Sequence, residues 1–477
     1  MRPGCLRGRR SRQICMASKE RMAMKTTERL AIVLLLFTVQ SVAASGQTVT
    51  FLYSFSGSDG SEPLGGLTQG TDGNFYGMTT SSGEYPLGTV FRISPSGDFT
   101  NLHSFLGYPV DGQTPYGSLV QGNDGDFYGT TLRGGVAASY CNCGTLFRIS
   151  PSGDFTNLHS FSGYPVDGSS PYSGLVQGSD SNFYGTTGSG GLYNWGTVFR
   201  ITPSGTFTVI HSFVYATDSA SPRAALVQGS DGSFYGTAFG YGTGVGKYGC
   251  VFRVSPSGDF TNLHMFTGFS SGALPLHRLV PGSDGNFYGS TSAGGANGNG
   301  TFFRISPSGV YTDLYSFVTG GSDLIQGSDG NFYGMTGVGE ETAIFDVSPS
   351  GSYTNLALFN VAPKGGPVSQ GIDGNFYGMT YFGGASNYGT VYEITIPLNP
   401  PANQISAIQS SANNLVFNIP SVAGETYQLQ FTTDPTSGIW SNAPGVSVTN
   451  SIGALLTLTN FGGASGPQGF YRFDITP

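Results

Sequence analysis

A chain of 477 residues with 76 glycines, 13% aromatic and only 10% charged residues is long enough for a large core plus an accessory domain, and its composition excludes disorder. The net charge of −8 conceals a basic leader: residues 1–46 carry nine Lys/Arg and two Asp/Glu, so the remainder has 11 basic and 26 acidic residues, a net −15. A body that acidic repels phosphate backbones and anionic lipid, which disfavours nucleic acid and membrane-surface partners and leaves neutral glycans or proteins.

Met24 opens a stretch with the layout of a secretory signal peptide: Lys25 and Arg29, an apolar run from Leu30 to Val39, then Ser41-Val42-Ala43-Ala44. Cleavage is expected near Ala44, with Met24 as the translation start and 1–46 as leader. The apolar run is too short to span a bilayer, and no transmembrane segment is expected in the mature chain. Beyond the leader only Cys141, Cys143 and Cys250 remain. An odd number without a zinc-type spacing implies a local Cys141/Cys143 pairing or three unpaired thiols.

Residues 47–396 are organised by a phrase that returns seven times, in its fullest form Gly-Ser-Asp-Gly-Asn-Phe-Tyr-Gly from Gly282 to Gly289. Its Asp falls at Asp72, Asp124, Asp180, Asp231, Asp284, Asp329 and Asp373, steps of 44 to 56 residues that suit propeller blades. Abundant Phe, Tyr, Val and Thr favour strands, and Gly, Pro, Ser and Asp supply turns, so the class is all-β. The second unit predicts four strands, at 117–121, 126–131, 144–150 and 154–161. Asn123-Asp124-Gly125 and Ser150-Pro151-Ser152-Gly153 make tight turns between them. The second connection of each unit and the link to the next unit are longer and vary. Seven third strands can be counted, yet the seventh unit runs into proline without a fourth, while 49–55 precedes the first unit with none of its own. The expected fold is a seven-bladed β-propeller whose last blade is completed by that N-terminal strand.

Pro397 to Pro401 predicts a stiff linker, assigned to 397–404. In 405–477 the repeat vanishes and alternating strands such as Tyr427-Gln428-Leu429-Gln430-Phe431 predict a small C-terminal β-sandwich.

The recurring order of a Gly-Leu-Val strand, Asp-Gly-Asn-Phe-Tyr-Gly, paired glycines, Gly-Thr-Val-Phe-Arg-Ile and Leu-His-Ser-Phe resembles the GloVer tandem repeat of secreted or surface-displayed bacterial proteins over roughly residues 49–396. The resemblance implies export, to the extracellular space or cell surface, and often a C-terminal sorting or anchoring region; it implies no reaction. Ala343 to Asp346 and Leu356 to Phe359 depart most, which predicts an irregular sixth blade. The tail from Tyr427 through Trp440 to Phe470-Tyr471-Arg472 looks like a small C-terminal domain found on exported proteins of the same bacteria.

Most residues of chemical interest repeat with the blades, which argues for scaffold. The seven Asp residues lie on different blades and fit turn acceptors better than calcium ligands. His103, His159, His211 and His264 share one position on outer strands and cannot converge; His277 stands alone, with nothing nearby to recruit it. Arg92, Arg148, Arg200, Arg253 and Arg304 alternate with apolar residues and suit pairing with acidic turns, with Asp346 and Glu393 in their place in the last two units. No catalytic residues, metal site or cofactor are assigned. Glu84, Glu340 and Glu341, in variable connections, are the carboxylates that a glycosidase or lyase would use. In a four-stranded meander the tight turns share one face and the variable loops the other, where binding residues belong. Those loops carry Arg133, Tyr140, Tyr193, Trp195, Tyr241, Lys247, Tyr248, Tyr381 and Tyr388, a group suited to stacking on sugars or gripping a protein.

Overall fold

The computed structural model describes residues 48–135, 141–240, 247–268, 271–338, 341–359 and 366–395, and then 407–411, 414–420, 426–432, 441–442, 455–460 and 470–476. The expected leader, the linker 397–404 and Trp440 lie outside them. Seven four-stranded antiparallel sheets form the blades of a β-propeller. Blades 1 to 6 span 68–104, 120–160, 176–212, 227–265, 280–316 and 324–359; blade 7 spans 369–395 and takes Thr48–Ser54 as its fourth strand. Further on, Ala407–Ser411, Asn414–Pro420 and Leu455–Asn460 form one three-stranded antiparallel sheet, and Thr426–Thr432, Ser441–Asn442 and Phe470–Thr476 another.

The closing strand copies the others in detail. In blade 2 the pairing of third and fourth strands skips Leu158: Phe147 faces Asn157 and Leu146 faces His159. Thr48–Ser54 skips Leu52 in the same way, pairing Phe51 with Tyr392 and Tyr53 with Val391. The β-bulge turns the skipped carbonyl toward the following blade. There the turn glycine must be bare: a Cβ on Gly153 would come within 3.0 Å of the Leu102 carbonyl, and Gly97 meets Leu52 likewise, across the closure.

The repeated Phe-Tyr pair works as mortar. Strand neighbours point to opposite faces, so the Tyr of each blade stacks on the Phe of the next: Tyr76 on Phe127, then Tyr128 on Phe183, and so on to Tyr377 on Phe75, with centroids 3.8 to 4.7 Å apart. Tyr76, Tyr128, Tyr184 and Tyr235 are fully buried, as are Phe75, Phe127, Phe183 and Phe234. Each such side chain contributes about 2–3 kcal/mol of burial, and the stacking adds to it. Farther out a second course joins the blades: His103 stacks on Phe155, His159 on Phe207, His211 on Phe260 and His264 on Tyr311, at 3.7 to 4.0 Å. Tyr53 of the closing strand takes the His position, 4.2 Å from Phe99.

Glutamines stitch the tight-turn face. Gln121 Oε1 accepts the Thr71 N–H of the preceding blade, Gln177 that of Asn123, Gln228 that of Ser179, Gln326 that of Ser283, and Gln370 that of Ser328. The Ile372 N–H, donating to Gln69 Oε1 at 2.8 Å, carries the stitch across the closure. Blade 5 has Pro281 in this place, so its junction with blade 4 lacks the bond.

Blade 6 departs from expectation in one respect. Its strands are longer and fully paired, and Val338 pairs directly with Glu341, so a hairpin replaces the long second connection. Glu341 thus opens a strand, in a different blade from the exposed Glu84, while Glu340 lies outside the described residues. Glu84 and Glu341, the two of these acids among the described residues, belong to blades 1 and 6.

Candidate functional site on the loop face

The repeated polar residues are committed to the scaffold. In each blade the phrase Asp accepts the following Tyr hydroxyl, from 2.6 Å (Tyr128 to Asp124) to 3.0 Å (Tyr235 to Asp231), and Asp72 also accepts the Asn74 N–H and side-chain amide. Burial pulls the Asp72 carboxyl up, but the bonds from Asn74 and Tyr76 outweigh it and hold it below the usual carboxylate range. The Tyr76 hydroxyl is pushed up to about 12, by burial and then by Asp72. Arg148 and Arg253 pair with Asp126 and Asp231 of their own blades. Where Asp346 and Glu393 replace Arg, the Asn331 and Asn375 amides donate to them. His103, His159 and His211 bond Asp111, Asp167 and Asp218 of the inter-blade links at 2.9 to 3.0 Å. Those Asp residues also cap link N–H groups, so the histidines are struts between blade and link.

The loop face is built by a different device. Each of the first five blades is entered through a three-residue step: Glu62-Pro63-Leu64, Thr114-Pro115-Tyr116, Ser170-Pro171-Tyr172, Ser221-Pro222-Arg223 and Leu274-Pro275-Leu276. The first residue is left-handed in every case, φ 56 to 58°. Its N–H donates to the preceding blade, Ser221 to the Trp195 carbonyl and Glu62 to that of Tyr388, while its C=O accepts from its own blade, as Ser221 does from Phe239. The strained φ is held by bonds on both sides. Proline donates no bond and has its φ preset, so the third residue is delivered in one fixed direction, at the start of the innermost strand. These strands crowd one another: a Cβ on Gly65, Gly117 or Gly366 would strike the backbone of the neighbouring blade. The third residues therefore ring the mouth of the central channel.

Across that mouth the side chains form an arc. The Tyr116 and Tyr172 rings meet edge to face at 5.9 Å. The Arg223 guanidinium carbon lies 4.9 Å from the Tyr172 centroid and 4.8 Å from that of Phe239, and its Nε donates to Ser221 Oγ. Such cation–π contacts contribute about 0.5–2 kcal/mol each. At the other end, burial and the neighbouring Glu62 carboxylate push the Tyr381 hydroxyl up to about 12, and Glu62 accepts from Ser81 Oγ. Tyr116 is 39% exposed, in contrast to the sealed scaffold aromatics.

Of the candidate residues read from the sequence, Tyr381 belongs to this arc. Trp195, Tyr248 and Tyr388 occupy one equivalent position on three blades, farther out over the links: Trp195 packs against Tyr215 at 4.9 Å, and Tyr248 and Tyr388 cover Gly268 and Gly57. Lys247 sits over the Tyr248 ring at 4.6 Å. Tyr193 is exposed beside Trp195, and Arg133 is exposed on a two-residue strand paired with Gly112–Gln113. The structure does not draw these side chains together. Tyr140 and Tyr241 lie outside the described residues. Glu62, Tyr116, Tyr172, Arg223 and Phe239 escaped the sequence reading. For all but Phe239, which follows the second strand of blade 4, the signal was a proline five residues ahead of each first-strand residue Thr68, Val120, Val176, Val227 and Val280.

Two further points correct or settle expectations. Cys141 and Cys143 form a disulfide and Cys250 is a buried free thiol. His277 is not isolated: its Nδ1 lies 2.8 Å from Ser290 Oγ, on the second strand of its own blade.

The sequence profile of the Gloeobacter/Verrucomicrobia repeat matches residues 36–177, 138–324 and 225–410. A search of curated protein sequences returns no match. Among solved structures, a streptogramin B lyase is similar at TM-score 0.51 and 14% identity, over 73% of this chain and 97% of that one. A virginiamycin B lyase from Staphylococcus aureus is similar at TM-score 0.49 and 14% identity, over 74% and 99%. At such identities the likeness concerns the fold alone. No helix among the described residues is long and apolar enough to cross a membrane.

Proposed function

Because the chain belongs to the Gloeobacter/Verrucomicrobia repeat family and brings half-exposed rings from consecutive blades into contact as one arc, we propose that it is an exported, non-catalytic propeller that binds a glycan at the channel mouth. The observation that carries the proposal is the arc itself: Tyr116, Tyr172, Arg223 and Phe239 from three consecutive blades, with Tyr381 and Glu62 continuing it toward the closure. Aromatic faces stack on the C–H faces of sugars, and Arg and carboxylate groups bond their hydroxyls. The phrase Asp residues and His103, His159 and His211 already have partners, whereas the Arg223 guanidinium forms no ion pair among the described residues and keeps donors to offer. The leader read from the sequence supports export, and the C-terminal sheets would act as a spacer or attachment unit. The outer group of Tyr193, Trp195, Lys247, Tyr248 and Tyr388, with Arg133, would lie along the path of a longer glycan or a protein partner.

A glycan array probed with the mature chain and with Tyr172→Ala tests this. Binding by the mature chain, weakened at least about tenfold by the substitution (about 1.4 kcal/mol), is expected. Unchanged binding by Tyr172→Ala would remove the arc as the site. Cleavage of a bound glycan would overturn the non-catalytic assignment.

A further inference from the structure

The two residues ahead of the buried Leu or Val on each innermost strand are small in most blades: Gly65-Gly66, Gly117-Ser118, Ser173-Gly174 and Ala224-Ala225, with Gly366-Pro367 in blade 7. The crowding of inner strands explains why. Blade 5 breaks the rule with His277-Arg278, and blade 6 follows with Ser322-Asp323. Large polar residues where the repeat demands small ones need a reason beyond packing.

Their bonding leaves two groups unused. Ser290 Oγ has one proton and donates it to the Ser322 carbonyl at 2.6 Å, so at the 2.8 Å contact with His277 it must accept. His277 Nδ1 therefore carries the hydrogen. Enclosure in the protein depresses the imidazole pKa despite the opposing influence of Asp323, which keeps the ring neutral and leaves Nε2 as a lone-pair acceptor. The Thr237 hydroxyl donates to the His277 carbonyl, fixing that strand against blade 4. Asp323 accepts the Arg278 backbone N–H, but the Arg278 guanidinium forms no ion pair, and its Nε is sealed from solvent with no acceptor among the described residues. That Nε is closed to a ligand as well as to water, so the terminal guanidinium nitrogens, without a hydrogen-bond or ion-pair partner among the described residues, are the donors an anionic oxygen would meet.

We propose that the His277–Arg278 step is a carboxylate subsite of the channel, and that the glycan is bound through a hexuronic acid unit. Arg278 would take the sugar carboxylate and His277 Nε2 would accept a hydroxyl of the same ring, below the aromatic arc. This rests on the glycan-binding role proposed above. The body's net −15 does not oppose it, because exposed charges farther than about 8 Å are screened at physiological salt. At Arg278 a sugar carboxylate meets the guanidinium at contact distance, against the Asp323 carboxylate that the Arg278 backbone N–H holds nearby.

Calorimetry with digalacturonic acid and its dimethyl ester, which share a carbohydrate body and differ in charge, separates the two proposals. The mature chain should bind the acid at least about tenfold more tightly than the ester. Arg278→Gln should abolish that preference while leaving ester affinity and melting temperature near those of the parent, and Arg278→Lys, which keeps the charge in the same space, should restore part of it. Tyr172→Ala should weaken both probes equally. Equal binding of acid and ester by the parent, or a preference that survives in Arg278→Gln, would overturn the carboxylate subsite and leave the arc intact. Loss of fold in Arg278→Gln with no preference in Arg278→Lys assigns Arg278 a structural role and overturns it too, as does binding of neither probe, which also counts against the arc.

Discussion

The two faces of the ring follow opposite rules. On the tight-turn face seven nearly identical copies of one phrase bind to themselves and to their neighbours: each Asp holds its own Tyr hydroxyl, and glutamines join six junctions. On the loop face the backbone clip recurs at the entry to five blades, but the residue it delivers is not constant: Leu64, Tyr116, Tyr172, Arg223, Leu276. Repetition marks the support, and variation mounted on a repeated support marks the site.

The comparison can be broken most severely at its seam. Removing Thr48–Ser54 leaves blade 7 with three strands and Phe99 without its Tyr53 partner, so a loss on the order of 5 kcal/mol or more is expected; chemical denaturation reads it, and an unaltered midpoint would contradict closure. Tyr184→Ala removes one stone from the buried course, stacked on Phe234 and bonded to Asp180. The cavity and lost bond should cost about 3–5 kcal/mol, against near-zero cost for Tyr172→Ala on the other face, and equal melting shifts would erase the distinction. Gln121→Ala severs a single stitch and should cost about 1 kcal/mol by the same assay.

The smallest expected effect is in acid. Asp72, Asp180, Asp231 and Asp284 are held below the ordinary carboxylate range, since bonds from the Asn or Ser two residues on and from the phrase Tyr outweigh burial. A carboxyl with a depressed folded pKa contributes stability that is complete above the unfolded value, near pH 4, and declines as pH falls through the folded value. Melting temperature should therefore fall below about pH 4, and the fall should be shallower in Asp72→Asn.

The fold was legible because it is written seven times. The N-terminal Leu52-Tyr53-Ser54-Phe55 repeats Leu-His-Ser-Phe well enough to reveal a displaced fourth strand, and the structure adds the matching bulge at Leu52. The site was less legible. Tyr193, Trp195 and Tyr388 stand out in composition because they lie in long connections, yet they are dispersed over blades. Tyr116, Tyr172 and Arg223 sit one residue from a proline and three from a buried Leu, so they read as the beginnings of strands. Only the ring brings them side by side. His277 was misjudged for a related reason: its partner Ser290 is 13 residues away in sequence, and the pairing of the first two strands of blade 5 makes them neighbours.

Hydrogen exchange of the mature chain with and without digalacturonic acid tests most directly where function resides. The account predicts slowed exchange at the entry steps around 114–118, 170–174, 221–226 and 274–280, with none at the turns 71–74, 123–126 and 179–182. Protection confined to the turns, or spread evenly over both faces, would contradict it.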